Sequence, residues 1–205
     1  MHESARQIVS LYQRHAEAWD QARQANPAAF QREQVWLQRF REVMGEGRQV
    51  LDLGCGSGWP IAGHLIDNGY QLTGVDSSSA LLDLCRQRYH GQRWINADMR
   101  SLALDQSFDG ILAWNSFFHL TPDDQREMFA LFERHAAPGC ALMFTSGPAA
   151  GEAIGEFQGE ALYHASLDPG EYCTLLDTHA FEVVQQVSED PQCDGLTVWL
   201  ARAIY

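Results

Sequence analysis

Three glycines at alternate positions, Gly54, Gly56 and Gly58, follow the apolar run Val50-Leu51-Asp52-Leu53 and lead into a helical stretch. Alternate glycines let the backbone turn sharply and approach a ligand closely, because no Cβ stands in the way. A buried strand running through such a turn into a helix is the cofactor-holding corner of doubly wound α/β folds. An ordinary tight strand–helix turn accounts equally well for the glycines alone, so the surrounding pattern decides.

After residue 48 the chain alternates short apolar runs with helical stretches. The strand candidates are residues 49–54, 70–76, 92–96, 108–114 and 140–146. They do not alternate apolar with polar residues, as suits strands covered on both faces of a parallel sheet. Helices are expected near 58–68, 78–89 and 122–136, the last opening with a Thr121-Pro122 cap, and another begins at Asp168-Pro169. The final pair, 181–187 and 196–203, is joined by turn residues including Asp194-Gly195, so it must run antiparallel. Ahead of residue 48, Ile8, Tyr12, His15, Trp19 and Arg23 share one face of a helix expected over 4–24. Asn26-Pro27 caps a second helix that ends near Gly45 or Gly47.

Spacing separates the possible cofactors. A dinucleotide fingerprint needs G-x-G-x-x-G, and counting from Gly54 its last place falls on Trp59. The order Asp52-Leu53-Gly54-Cys55-Gly56-Ser57-Gly58, then Gly74-Val75-Asp76-Ser77-Ser78, Ala97-Asp98-Met99 and Phe108–Trp114 resembles the class I S-adenosylmethionine-dependent methyltransferases of small-molecule type. The resemblance covers about residues 49–203. It implies a doubly wound α/β fold with a mostly parallel seven-stranded sheet, a terminal antiparallel hairpin and helices on both faces. Length and pattern give one domain over 1–205: a helical cap over 1–47 and a cofactor-binding core over 48–205 with a lid near 147–166.

S-adenosylmethionine is the cofactor the resemblance implies, and a small molecule the methyl acceptor. Gly54, Gly56 and Gly58, with Cys55, would line its methionine and ribose portion. Asp76 would accept from the ribose hydroxyls, with Ser77 beside it. Asp98 and Met99 would read the adenine, and Asp52 would sit behind the loop or near the ammonium group. Trp114 completes that set. Asp76 and Asp98 serve equally well as helix or turn caps. From the N-terminal helix, Arg23 is placed to meet the cofactor carboxylate, and Tyr12 or Trp19 to border the sulfonium; simple docking of that helix is the alternative.

Methyl transfer needs alignment more than a covalent nucleophile. His119 is the candidate general base, packing in a turn being its alternative role. Trp59, Asn115, Phe117, Phe118, Tyr163 and His164 are candidates for the acceptor pocket, any of the aromatics being equally placed for the core. The segment 147–166, with four glycines, is long for a connection in a compact domain and is expected to form part of a substrate lid.

The remaining features exclude. The formal charge is −13 and no Lys is present, which disfavours nucleic-acid and anionic-membrane partners. The five cysteines are scattered and the histidines lack ligand spacing, so neither a disulfide framework nor a metal site is expected. The first residues carry no secretory signal, and no stretch approaches the roughly 20 apolar residues of a membrane span; the cytoplasm is the expected compartment. Two rival functions stay open: a nicotinamide-dependent oxidoreductase and a non-catalytic S-adenosylmethionine-binding module.

Overall fold

The computed structural model describes residues 3–205. A seven-stranded sheet runs in the order β3-β2-β1-β4-β5-β9-β8. Its strands are β1 (Gln49–Leu53), β2 (Gln71–Asp76), β3 (Arg93–Asn96), β4 (Phe108–Ala113), β5 (Ala136–Ser146), β8 (Phe181–Asp190) and β9 (Leu196–Ala203). The first five are mutually parallel; β9 lies antiparallel to both β5 and β8. The doubly wound sheet with a terminal hairpin is thus the fold the sequence implies.

Side chains alternate across the sheet, and each face gathers its own core. On one face Leu51, Leu53, Ile111, Phe144 and Trp199 meet helices α6 (Pro122–His135) and α7 (Pro169–Thr178) through Phe129, Phe132, Tyr172 and Leu176. On the other, Val50, Leu112, Met143 and Leu200 meet α3 (Pro27–Met44) and α4 (Ile61–Asp67) through Trp36, Leu37, Phe40, Ala62 and Leu65. Helix α5 (Ser79–Arg88) packs beside β2 and β3. Thr121 caps α6 and Asp168 caps α7 through side-chain acceptors, as their sequences require.

Two segments differ from expectation. The helix expected over 4–24 is two, α1 (Glu3–Arg14) and α2 (Ala16–Gln24), parted at His15. No proline or glycine marks that break. His15 leaves the helical conformation and its imidazole reaches Glu160 at 2.6 Å. The segment 147–166 is not irregular. It forms a hairpin, β6 (Gly151–Phe157) and β7 (Glu160–Ser166), turned by Gln158 and Gly159, both at positive φ (54° and 78°). Nearly every residue of β6 is exposed, so no apolar alternation announced the strand. Among the described residues no helix is long and apolar enough to cross a membrane.

Candidate active site

At the carboxyl end of β1 the chain enters the glycine turn with Gly54, Gly56 and Gly58 all at positive φ (75°, 57° and 74°). Any other residue is strained there. The turn is pinned to the neighbouring strand, since the N–H groups of Gly54 and Cys55 both donate to the Val75 carbonyl, at 2.8 and 3.1 Å. A Cβ on Gly54 would run into the Ser116 side chain, whose hydroxyl donates to the Leu53 carbonyl at 2.6 Å.

Asp76 closes the corner. Its carboxylate accepts from the backbone N–H of Gly56 at 2.9 Å and of Ser78 at 2.8 Å. Burial raises its carboxyl above the ordinary value, against those backbone donors. Two carboxylate oxygens offer about four acceptor sites, so capacity is left for a ligand's hydroxyls. Asp52 lies buried beneath the loop, where burial, aided by the Asp76 charge, pushes it up to about 7.

These groups border a cavity of about 310 Å³, of the size that holds small ligands. Tyr12, Trp19, Gly54, Gly56, Asp76 and Ser77 line it, and so do Asp98, Met99, Asn115 and His119. Helix α1 covers it with Ala5, Ile8 and Val9; Ile8 belongs to the helix face read from the sequence, whereas the pattern did not single out Ala5 and Val9. A smaller recess of about 50 Å³ adjoins it through Trp19, Gly54, Gly56 and Asn115. Arg23, Asp52, Cys55, Gly58, Trp59 and Trp114 line the recess. Asn115 holds a φ of 51° at the end of β4, fixed by its N–H on Thr145 Oγ1 at 2.9 Å.

Several candidates have partners that redefine them. Asp98 caps a short turn through the N–H of Arg100 at 2.9 Å, and the Arg100 guanidinium grips both its oxygens; that pairing holds its carboxyl below the ordinary range. Arg23 is bound to buried Glu33 by two contacts of 3.1 and 2.8 Å, and Trp114 donates its indole N–H to the same carboxylate at 3.2 Å. Its charge is therefore already matched. Glu33 sits on α3 in a run of polar residues, where nothing in the sequence marks it as buried.

His119 is buried, and desolvation pushes it down to about 4. Its Nδ1 lies 2.8 Å from the Tyr163 carbonyl, which can only accept, so Nδ1 carries the proton. In the neutral ring Nε2 is then an acceptor, and the Tyr12 hydroxyl donates to it at 2.9 Å. The nitrogen expected to act as a base is occupied and weakly basic, because the turn buries the whole ring.

Phe117 is corrected outright. It is fully buried between Phe132 and Phe144, with ring centroids 5.9 and 5.1 Å away, and belongs to the core behind the cavity. Tyr163, Phe118 and His164 also stand outside both linings. Tyr163 supplies its carbonyl to His119 and its hydroxyl to Glu152. Phe118 and His164 pack on the far side of His119, at 4.9 Å each. Their alternating exposure along the short turn and β7 is a tertiary outcome that apolar pattern alone does not fix.

The hairpin closes against α1 and α2. Phe157 at its tip packs on Tyr12 at 6.2 Å and Trp19 at 5.8 Å. Glu160 binds Arg14 and His15.

Comparison with known proteins agrees with this geometry. Residues 50–139 match the methyltransferase domain family. A cypemycin N-terminal methyltransferase of Streptomyces sp. is 33% identical over 113 residues, 52% of this chain and 44% of that protein. A malonyl-[acyl-carrier protein] O-methyltransferase of Enterobacter lignolyticus is 30% identical over 48% of this chain and 38% of its own length. The chain thus spans about half the length, or less, of the curated relatives it matches. Among solved structures, the complex of DhpI with SAH superposes with a TM-score of 0.76 at 18% identity, covering 100% of this chain and 98% of that one. The sugar N-methyltransferase KedS8 from Streptoalloteichus sp. gives 0.69 at 17% identity, covering 84% and 87%. At such identity these likenesses establish the fold.

Proposed function

We propose that this chain, whose fold is that of the class I methyltransferases and whose residues 50–139 form a methyltransferase domain, transfers the methyl group of S-adenosylmethionine to a small-molecule acceptor. The observation that carries the reading is the Asp76 carboxylate, tied to the glycine loop and facing a 310 Å³ cavity at the carboxyl ends of β1, β2 and β4. A ribose diol presents two donors to one carboxylate, and such charge-assisted bonds contribute about 1.5–3 kcal/mol each.

The residues fit the cofactor. The loop of Gly54, Gly56 and Gly58, with Cys55, leaves backbone where side chains would fill the corner. Ser77, Met99 and Asp98 stand where the adenosine would extend under α1, with Asp98 accepting from the base alongside Arg100. Asp52, Trp114 and Trp59 border the recess on the methionine side, and Trp19 spans both spaces. When bound, the cofactor supplies an electrophilic methyl carbon on a cationic sulfur. The chain's own part is to orient and to exclude water. Tyr12 and Trp19 line the cavity as an aromatic wall suited to a sulfonium, with Phe157 packed against both, and the hairpin held by Glu160 shuts that side. Asn115 and His119 stand on the acceptor side, with Phe118, Tyr163 and His164 supporting His119 from behind.

The same reading takes the chain as one domain, with residues 1–47 a cap, 48–205 the core and 147–166 the lid, acting in the cytoplasm without a nucleic-acid partner. A nicotinamide enzyme is disfavoured because Trp59 occupies the third glycine place of its fingerprint. Calorimetric titration separates the readings: S-adenosylhomocysteine binds and NADH does not. NADH binding alone would overturn the proposal, and S-adenosylhomocysteine binding without turnover on any acceptor would favour a non-catalytic sensor.

A further inference from the structure

We propose that buried Glu33 is a positioning residue for the cofactor's amino-acid end: it holds the Arg23 guanidinium toward the recess beside the glycine loop, and Arg23 takes the carboxylate of that end. The site thereby selects an adenosyl ligand bearing a zwitterionic amino acid over one lacking its carboxylate. This rests on the methyl-transfer reading and deepens it. Three observations carry it.

The first is how Arg23 is held. Its Nη1 and Nη2 donate to Oε1 and Oε2 of Glu33 at 3.1 and 2.8 Å. Oε1 also accepts the Trp114 indole N–H at 3.2 Å, which ties the acid on α3 to the residue that follows β4. Asp20, on the same helix as Arg23, binds Arg88 of α5, so α2 is fastened from both sides. Glu33 is 3% exposed. Taking two charges out of water offsets most of their mutual attraction, so a pair of this kind contributes little to stability. What it fixes is the direction in which the cation's other hydrogens point.

The second is what the pair leaves over. A guanidinium carries five N–H donors, and the two contacts with Glu33 use one on each Nη. The Nε–H and an adjacent Nη–H form a further two-donor edge, the shape a carboxylate fills. That side chain lines the recess. Glu33 matches the charge of Arg23 and leaves that edge of donors to a ligand. A lysine would present a point charge without the edge.

The third is the recess itself. Its volume is about 50 Å³, and at roughly 10–15 Å³ for each water-sized group it takes only a few such groups. It opens to the larger cavity through Trp19, Gly54, Gly56 and Asn115. Its walls carry both signs, Arg23 and Asp52. A carboxylate alone is repelled by Asp52 and an ammonium alone by Arg23, whereas a zwitterion meets a partner at each. Burial and the Asp76 charge drive Asp52 toward its neutral form, and a neighbouring ammonium acts the opposite way.

The experiment titrates three adenosine ligands into the full chain by calorimetry. They are S-adenosylhomocysteine, its decarboxylated analogue, which keeps the amine, and 5′-methylthioadenosine, which lacks the whole amino-acid end. The wild type is expected to hold S-adenosylhomocysteine at least about tenfold more tightly than the decarboxylated analogue. In Arg23→Gln and in Glu33→Gln that ratio is expected to fall below about threefold, while affinity for 5′-methylthioadenosine stays within about twofold of wild type. A Glu33 that only braces the fold would weaken all three ligands together, and that result overturns the proposal. Glu33→Gln leaves the Arg23 charge without its acid. Glu33→Asp keeps the charge, withdraws it by one methylene, and decides the matter if circular dichroism shows the Gln variant unfolded. Loss of the fold in both Glu33 variants makes the acid a structural brace and likewise overturns the proposal. So does a wild-type ratio below about threefold, or an unchanged ratio in any folded variant. A wild type that does not bind S-adenosylhomocysteine sinks the methyl-transfer reading; binding without discrimination sinks only the role given to Glu33 and Arg23.

Discussion

The backbone N–H of Gly56 donates to Oδ2 of Asp76 at 2.9 Å, tying the apex of the glycine loop to the last residue of β2. One carboxylate therefore shapes the loop and faces the cavity it encloses. In Asp76→Ala both roles go. S-adenosylhomocysteine affinity is expected to fall at least tenfold, about 1.4 kcal/mol, in a calorimetric titration. Circular dichroism shows whether the variant is folded; a folded variant with unchanged affinity removes Asp76 from the cofactor site.

Asp52 gives a pH signature. In the unfolded chain its carboxyl titrates at the ordinary value of about 4, whereas in the fold it is pushed up to about 7. The native state thus holds this proton more tightly. The stability this linkage provides is fully present below about pH 4 and is lost as pH climbs through about 7. In Asp52→Asn the titration is gone and the shape nearly kept. Urea unfolding at pH 5 and pH 8 is expected to show the wild type losing stability relative to the variant on going to pH 8, by an amount on the order of a few kcal/mol. A wild-type-minus-variant difference that is the same at both pH values would mean that Asp52 titrates normally.

The hairpin clasp can be opened from its tip. Phe157 reaches Tyr12 and Trp19, and Glu160 reaches Arg14 and His15. The double variant Phe157→Ala, Glu160→Gln is expected to raise hydrogen exchange selectively in β6, β7 and α1, while the strands of the main sheet keep their protection. It is also expected to speed dissociation of S-adenosylhomocysteine in stopped-flow measurements, since α1 roofs the cavity. Exchange that rises equally in β1 and β4 would show global loosening instead of an opened lid.

Much of this organisation is legible in the chain because it is local. Alternate glycines at positive φ, Thr121-Pro122 and Asp168-Pro169 caps and unbroken apolar runs each act within a few residues, and the sheet follows from them. What escapes is decided by partners far along the chain. His15 stands at the break between α1 and α2, and its imidazole meets Glu160, 145 residues further along the chain. Glu33 is buried because Arg23 and Trp114 converge on it. The tautomer of His119 is set by a carbonyl 44 residues on and a hydroxyl 107 residues back. The strand β6 is nearly all exposed and pairs only because Gln158-Gly159 folds it onto β7. Sequence pattern reports a residue's own preference for burial; it is blind to which distant group will meet it.

Phe117 tests that distinction directly. It lies next to Phe118 and His119 in a turn that borders the cavity, and its type suits either an acceptor pocket or a core. The structure surrounds it with Phe129, Phe132, Phe144 and Tyr172, at centroid distances of 6.1, 5.9, 5.1 and 6.2 Å. Removing a fully buried ring leaves a cavity among close-packed neighbours, at a cost of about 3–5 kcal/mol. Phe117→Ala is therefore expected to lower the urea midpoint substantially without changing the m-value. Phe117→Leu, which restores most of the volume, is expected to recover the larger part of that loss while S-adenosylhomocysteine affinity stays within about twofold of wild type, a difference of about 0.4 kcal/mol. If Phe117→Leu unfolds at the wild-type urea midpoint but binds or turns over its acceptor tenfold worse, the ring faces the acceptor after all and its assignment to the core is wrong.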